Sequence, residues 1–162
     1  MSTRYLPSDW TLPELTDWNR PFFTAGRLTI QYCTDCADYQ HPPLDFCHRC
    51  QGEGLEYRES AGTGTVDNYS VVHHAGNSRL KESLPYNVVL VEPADAPGVL
   101  VLGNLVDQDW PDRLRIGASV RCVFAEVADP GTGEVLRLPQ WTFADGPEPA
   151  VFTDVDRRRS AS

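Results

Sequence analysis

Two Cys-x-x-Cys pairs are the residues of this sequence best suited to metal chemistry. Cys33 and Cys36 form the first pair, and Cys47 and Cys50 form the second. Each pair can form a tight turn that directs two thiolates to one point, and two facing turns complete a sulfur tetrahedron around Zn²⁺. One such pair also occurs in redox proteins, but two pairs within eighteen residues favour a metal site. The spacing predicts a structural, rubredoxin-like zinc ribbon, with disulfides as the main alternative and iron as an alternative ion.

The positions of the histidines are weaker evidence for a functional site than the spacing of the cysteines. His41 and His48 lie near the cysteine pairs, but four thiolates already close a structural site, so neither is expected to be a ligand. His73 and His74 are adjacent at a predicted strand end, where neighbouring side chains face opposite sides. No Ser/His/Asp spacing and no Gly-rich phosphate loop indicates an active site. We therefore predict no catalytic residues in this chain.

Composition and charge narrow the class of protein. The 162 residues are 41% hydrophobic and 23% charged, which predicts a globular chain. The net charge is −9, with 23 acidic against 14 basic side chains, so nucleic-acid binding is disfavoured because it requires neutralisation of phosphates. The one dense basic run, Arg157–Arg159, is interpreted as a solvated tail. Five cysteines, no signal-like apolar run and no stretch long enough to cross a bilayer predict a cytoplasmic protein without a membrane span.

The segment before the cysteines is predicted to be helical from residue 14 to residue 26. Leu15, Trp18 and Phe22 recur at i, i+3 and i+7, which places them on one helical face. Pro21 predicts a kink or two short helices, and Gly26 predicts the end. This face either packs within the chain or contacts a partner. The residues of the candidate partner interface are Trp10, Leu15, Trp18 and Phe22.

The remaining chain predicts strands. Two ribbon strands are expected, at Leu28–Tyr32 and Leu55–Ser60. Five further segments rich in β-branched residues are expected at Thr63–His74, Tyr86–Glu92, Val99–Val106, Ser119–Ala128 and Leu136–Phe143. Five strands without a long amphipathic helix predict a partly closed barrel of the OB type, with Cys122 as a small buried hydrophobe. The predicted organisation is an arm with short helices (1–27), a zinc ribbon (28–60), an OB-fold (61–144) and a flexible tail (145–162).

The whole pattern resembles the DUF35 family, in which a rubredoxin-like zinc ribbon precedes an OB-fold. The motifs that carry this resemblance are Arg20–Phe23 with Gly26, the two cysteine pairs, Gly62–Val66, Val71–His73, Pro85–Glu92 and Ile116–Val120. Two departures are visible. Ala37 stands where the family has Gly after the second cysteine, and Leu138–Trp141 stands where it tends to have Pro-x-Phe.

The resemblance implies an accessory subunit of a thiolase-fold enzyme, such as a lipid-transfer-protein-type thiolase or aldolase acting on acyl-CoA. Some such enzymes act in steroid side-chain degradation, and a heterotetramer that shares the CoA thioester is expected. In the loop between the first two barrel strands, Arg79 and Lys81 are candidate acyl-CoA contacts, because the thioester is polyanionic. The alternatives are an OB-fold nucleic-acid-binding protein and a stand-alone acyl-CoA carrier.

Overall fold

The computed structural model describes residues 11–146, which form a mainly β protein with short helices, as predicted. The strands are β1 (Thr29–Cys33), β2 (Asp38–Gln40), β3 (Leu55–Glu59), β4 (Thr63–Val72), β5 (Tyr86–Pro93), β6 (Val101–Gly103), β7 (Ser119–Ala128) and β8 (Val135–Phe143). The helices are α1 (Arg20–Thr24), a 3₁₀ helix (Ser78–Ser83) and α2 (Trp110–Arg113). Within 11–146, none is long and apolar enough to cross a membrane. The interpretations of Trp10 and of Arg157–Arg159 fall outside the described residues.

Helix α1 is much shorter than the predicted helix and corrects it. Pro21 lies in the first turn of α1, where its missing N–H would have had no partner, so it begins the helix instead of kinking it. Gly26 follows the last turn with a φ of 73°, the left-handed conformation that ends many helices. Leu15 and Trp18 therefore precede the helix and do not share a helical face with Phe22.

The ribbon is a three-stranded antiparallel sheet in the order β2-β1-β3. β1 is central, and its last residue, Cys33, lies opposite Asp38 on β2 and Leu55 on β3. The sequence predicted β1 and β3 but missed β2, because a three-residue strand offers no alternation to detect. The pairing places the first cysteine in the middle of the sheet, where both neighbouring strands hold its backbone.

The second sheet is antiparallel and has the order β6-β5-β4-β7-β8. On β5, Asn87, Val89 and Val91 face the core and the intervening residues face outward, as expected when neighbouring side chains alternate. β4 pairs with β5 along most of its length but with β7 only at 63–65. Its pairing shifts between Val66 and Asn68, and a bulge of this kind bends a strand. The bend allows β4 to contribute to both halves of a barrel.

The barrel closes without a full pair of strands. Leu105 and Trp141 form a parallel bridge, and the N–H of Trp141 donates to the carbonyl of Asn104 at 2.9 Å. The buried amide of Asn87 substitutes for a strand partner, donating to the carbonyl of Leu105 at 3.0 Å and accepting from its N–H at 2.6 Å. Gly103 is required there, since a Cβ would lie 2.8 Å from the Trp141 ring. The closed five-stranded barrel is an OB-fold architecture.

Three details of the barrel differ from the predictions. The predicted strand Val99–Val106 reduces to β6 and the Leu105 bridge, because the chain bends away to meet β8. The loop between β4 and β5 contains the 3₁₀ helix, and α2 was not predicted. Both helices are too short to show an apolar period. Cys122 is half-buried beside the core.

One hydrophobic core joins the ribbon to the barrel. Phe22 of α1, Leu28 and Ile30 of the ribbon pack in the same cluster as Val120 and Trp141 of the barrel. Full burial of a side chain such as Ile30 contributes about 1.5–3 kcal/mol. The apolar face of the ribbon is therefore covered by the barrel and by α1.

Polar contacts fix the position of the ribbon sheet relative to the barrel sheet. The carboxylate of Asp95, in the β5–β6 turn, accepts from the Ser60 hydroxyl and from the Ala61 N–H, each at 2.7 Å. Arg137 of β8 binds Glu126 at 2.8 Å and donates to the carbonyl of Thr24 at 3.1 Å, which ties α1 to the barrel. The ribbon thus has a defined position on the barrel.

Candidate metal centre and surrounding surfaces

The structure brings the four paired cysteines together at one end of the ribbon. Cys33 ends β1, Cys36 closes the following turn, and Cys47 and Cys50 lie on the facing turn. The sulfur of Cys33 is 3.6 Å from that of Cys50, and the sulfur of Cys36 is 3.6 Å from that of Cys47. All four sulfurs lie within 4.8 Å of one another. Each close contact thus joins the two turns.

These distances fit a metal and exclude disulfides. A disulfide bond is about 2.05 Å long, so contacts of 3.6 Å are unbonded, and all four cysteines are free. Around Zn²⁺ with Zn–S bonds of about 2.3 Å, the edge of the tetrahedron is about 3.8 Å. Four protein sulfurs fill every position of such a site, so a bound ion would stabilise the fold and bind no substrate.

The protonation of the thiols is uneven. Desolvation and the neighbouring sulfurs raise the pKa of Cys36 to about 12. The backbone N–H groups of Cys50 and Arg49 lower the pKa of Cys47 to about 6, and the N–H of Arg49 donates to its sulfur at 3.4 Å. A divalent cation favours the thiolate form of every ligand. A bound divalent cation would therefore supply the positive charge that stabilises all four sulfurs as thiolates.

Both cysteine turns use the same unusual backbone conformation. Ala37 and Gln51, each directly after the second cysteine of its pair, have φ of 55° and 61°. Non-glycine residues adopt this left-handed conformation at a cost of about 1–2 kcal/mol. Ala37 was recognised in the sequence as a departure from Gly. The structure shows that its backbone keeps the conformation for which Gly is favoured, and that Gln51 does the same.

The loop between the two cysteine pairs, here called the metal loop, is supported by a network of buried amides that the sequence did not indicate. Gln31 and Gln40 are 3% and 2% exposed, and the amide of Gln40 donates to the side-chain oxygen of Gln31. Gln31 also bonds both backbone groups of Leu44, at 2.7 and 2.9 Å. Gln40 accepts from the N–H of His48 at 2.9 Å. The network fixes the loop between the cysteine pairs to the sheet. The sequence did not predict it because glutamine in a strand is usually exposed.

The turn residues of the first pair bind the segment after the second pair. Thr34 donates from its N–H and its hydroxyl to the carbonyl of Gly54, at 2.8 and 2.9 Å. The Asp35 carboxylate accepts from the N–H of Gly54. A Cβ on Gly52 or on Gly54 would lie 2.2 or 2.6 Å from an oxygen of Asp35. A side chain at either glycine would therefore displace the Asp35 carboxylate from its position between the two turns.

The histidines do not join the cysteine cluster. His48 is exposed and its Nδ1 lies 3.1 Å from the oxygen of Gln40. His41 packs with its ring 4.8 Å from that of Phe22, and desolvation lowers its pKa to about 4. His73 and His74 are exposed just after β4. Among residues 11–146, the metal-binding group consists of the four cysteines.

The structure separates the candidate partner and ligand residues. Phe22 is 5% exposed and packs within the chain, whereas Trp18 is 41% exposed and its carbonyl accepts from the Tyr57 hydroxyl. Leu15 is half-buried. The predicted acyl-CoA contacts, Arg79 and Lys81, lie exposed on the 3₁₀ helix at the opposite end of β4 from the ribbon. The interface and ligand roles stay predictions. With Phe22 buried, the described part of the candidate interface consists of Leu15 and Trp18, and Trp10 lies outside the described residues.

The fold and the cysteine cluster together define a zinc ribbon fused to an OB barrel. The family model for the rubredoxin-like zinc ribbon domain of ChsH2 matches residues 24–56, and that for the C-terminal OB-fold domain of ChsH2 matches residues 57–125. The chain belongs to the DUF35 family, as its motifs predicted, and both of its domains match models of ChsH2.

The chain matches part of the length of two relatives whose names state an activity. The chain is 38% identical over 121 residues to a probable enoyl-CoA hydratase alpha subunit of Thermomonospora curvata, covering 73% of this chain and 36% of that protein. It is 34% identical over 105 residues to the 3-oxo-4,17-pregnadiene-20-carboxyl-CoA hydratase alpha subunit of Mycobacterium tuberculosis, covering 65% of this chain and 32% of that protein. The chain thus spans about a third of the length of these curated relatives.

A solved structure matches over nearly its whole length. A chain of the structure titled Ltp2-ChsH2(DUF35) aldolase is 34% identical, with a TM-score of 0.65. The match covers 82% of this chain and 99% of that chain. A shorter DUF35 chain, matched over nearly its whole length, is therefore known as a component of an aldolase structure.

Proposed function

We propose that this chain is a non-catalytic, zinc-binding accessory subunit of a thiolase-fold acyl-CoA enzyme. The observation that carries the proposal is the match over 99% of a chain in the Ltp2-ChsH2(DUF35) aldolase. The closed four-cysteine site agrees with it, because a metal with four protein ligands keeps no position for substrate. The zinc then stabilises the ribbon, and the reaction takes place on the partner.

The partner is a lipid-transfer-protein-type aldolase or thiolase, assembled with this chain as a heterotetramer in the cytoplasm. Its substrate is an acyl-CoA thioester with a steroid side chain. The name of the Mycobacterium tuberculosis relative, which specifies a pregnadiene-carboxyl-CoA, supports this substrate class. The CoA thioester is shared between the subunits, with this chain forming part of the CoA path.

The partner contact includes Trp18 and Leu15. Trp18 is 41% exposed, and the hydrogen bond from Tyr57 to its carbonyl fixes the backbone that presents the ring. Exposed tryptophans on fixed backbone are common at the centre of protein interfaces. Burial of Trp18 by a partner would extend the apolar contact that Phe22 and Phe23 already make inside the chain.

The first experiment is purification of the tagged chain from its native host at physiological salt. A co-purifying protein of thiolase size that cleaves or forms acyl-CoA supports the proposal. Nucleic acid in its place, together with a gel shift of single-stranded DNA or RNA that weakens steeply with salt, would favour the nucleic-acid alternative. With a net charge of −9 we expect no such shift.

Two variants then test the separate roles. Trp18→Ala should weaken assembly by about 2 kcal/mol or more, measured as the dissociation constant of the purified subunits. Phe46→Ala is the matched control, since Phe46 is 45% exposed on the metal loop. Arg79→Ala should leave assembly intact and raise the apparent KM for the CoA thioester. Normal assembly of Trp18→Ala would place the interface elsewhere, and an unchanged KM of Arg79→Ala would remove that residue from the CoA path.

A further inference from the structure

A cleft of about 310 Å³ lies between the end of α2, the start of β7 and the end of β8. Its lining includes the buried residues Ala118 and Phe143 and the polar side chains of Arg113, Arg115, Ser119 and Asp145. Arg115 gives the cleft a positive charge beyond the Arg113 and Asp145 ion pair. The cleft is distant in the chain from the cysteines and from the 3₁₀ helix.

Arg113 is held in place by two carboxylates and an aromatic ring. Its N–H groups bind the carboxylates of Asp109, at 3.1 Å, and Asp145. The carbon of the guanidinium lies 3.9 Å from the centre of the Phe143 ring, so its inner face is covered. The side chain is 31% exposed. The guanidinium is therefore partly accessible from the cleft, and purine bases stack on arginine planes in many nucleotide sites.

Arg115 supplies a positive charge at the same cleft. Six other arginines among the described residues form ion pairs with carboxylates: Arg20, Arg27, Arg49, Arg58, Arg113 and Arg137. Arg115 is exposed and donates to the carbonyl of Arg113 at 3.3 Å, and no carboxylate within 11–146 pairs with it. A guanidinium in this state is available for bidentate binding of a phosphate.

We propose that this cleft binds the adenosine 3′,5′-bisphosphate end of a CoA thioester, with the adenine stacked on Arg113 and a phosphate on Arg115. The inference rests on the proposed function, which supplies the CoA thioester, and it names a site other than the 3₁₀ helix. A mononucleotide fits better than a nucleic-acid strand. A strand requires several cations along a groove, whereas this cleft has one guanidinium without a carboxylate partner.

The test is titration of the zinc-loaded full chain with adenosine 3′,5′-bisphosphate, followed by NMR of the arginine side chains and of the adenine protons. The same titration is repeated on the complex with its partner. Saturable binding is expected, with shifts of the Arg113 and Arg115 side-chain signals. Arg115→Gln should weaken binding about tenfold, since it removes a charged hydrogen bond. Arg113→Lys keeps the charge and should abolish the adenine ring shifts that report stacking.

Arg27→Gln and the unphosphorylated nucleoside adenosine serve as controls. Arg27 is 61% exposed and does not line the cleft, so Arg27→Gln should change the Kd by less than about twofold. Adenosine should bind more weakly than the bisphosphate and should be insensitive to Arg115→Gln. An unchanged Kd in Arg115→Gln, or absence of saturable binding in both chain and complex, would overturn the inference. The proposed function has its own test, because co-purification and assembly do not depend on this cleft.

Discussion

The ribbon and the barrel share a hydrophobic core but are stabilised by different means. Barrel residues such as Val89, Leu105 and Trp141 are fully buried apolar side chains from distant strands. At the cysteine end of the ribbon the buried groups are thiols and the amides of Gln31 and Gln40. Apolar burial dominates in the barrel, whereas the ribbon end depends on a metal and on complete hydrogen bonding. A metal thus compensates for a core that the ribbon is too small to build.

The largest expected effect is loss of the metal. Structural zinc contributes on the order of 10 kcal/mol in finger peptides, so Cys36→Ser should release the ion and unfold the end of the ribbon, giving poorly soluble protein. Cys122→Ser is the matched control, because Cys122 lies outside the cluster. Elemental analysis gives the zinc or iron content, and amide hydrogen exchange compares β1 with β5. Less than half an equivalent of metal in the wild type would contradict the prediction.

The matching test in the barrel is Leu105→Ala. Leu105 is 0% exposed at the point where the barrel closes, and truncation of such a leucine costs about 2–5 kcal/mol. Urea denaturation should show this loss while the metal content stays unchanged, since the cysteines are held by the ribbon. Leu102→Ala, at a residue 60% exposed, should lie within about 0.5 kcal/mol of the wild type. Loss of metal in Leu105→Ala would show that the two regions unfold together.

A pH test examines the contact between α1 and the ribbon. Burial lowers the pKa of His41 from 6.5 to about 4, so between these values the unfolded chain binds a proton that the folded chain does not. Stability should therefore fall as the pH drops from about 6.5 to about 4, by up to about 3 kcal/mol.

The measurement is the difference in unfolding free energy between the wild type and His41→Gln at several pH values. The difference cancels the acid loss of metal that both proteins share. His48→Gln is the control, since His48 is exposed and takes no part in the contact between His41 and Phe22. A difference that is constant from pH 7 to pH 4 would contradict the assignment.

The smallest expected effect concerns the backbone of the cysteine turns. Ala37 has a φ of 55°, a conformation that costs about 1–2 kcal/mol for a residue other than glycine. Ala37→Gly relieves this cost but adds freedom to the unfolded chain, so we expect a net gain of about 0.5–1 kcal/mol. Chemical denaturation of the metal-loaded protein measures it, with Gln51→Gly as the parallel test at φ 61°. A loss of stability in both variants would show that the backbone at these two positions is not strained.

Local patterns in the sequence predicted the metal ligands and most of the strands. The cysteine spacing needs only two turns to bring four sulfurs together, and the alternation on β5 is visible within eight residues. Short elements were missed or misjudged. β2 has three residues and α2 has four, and neither is long enough to show a period. The apolar spacing of Leu15, Trp18 and Phe22 was a false helical signal, because Pro21 begins the helix instead of interrupting it.

Residue spacing, strand patterns and composition were enough to predict the class of protein: a metal-binding ribbon, a β barrel and an acidic chain. The tertiary structure alone decided that Asn87 and Trp141 close the barrel and that Gln31 and Gln40 hold the metal loop. It also decided that Phe22 packs within the chain. The physical reason is the distance along the chain between the residues that determine each feature. Turn and strand patterns depend on neighbouring residues, whereas closure and burial of polar groups depend on partners that only the folded chain brings into contact.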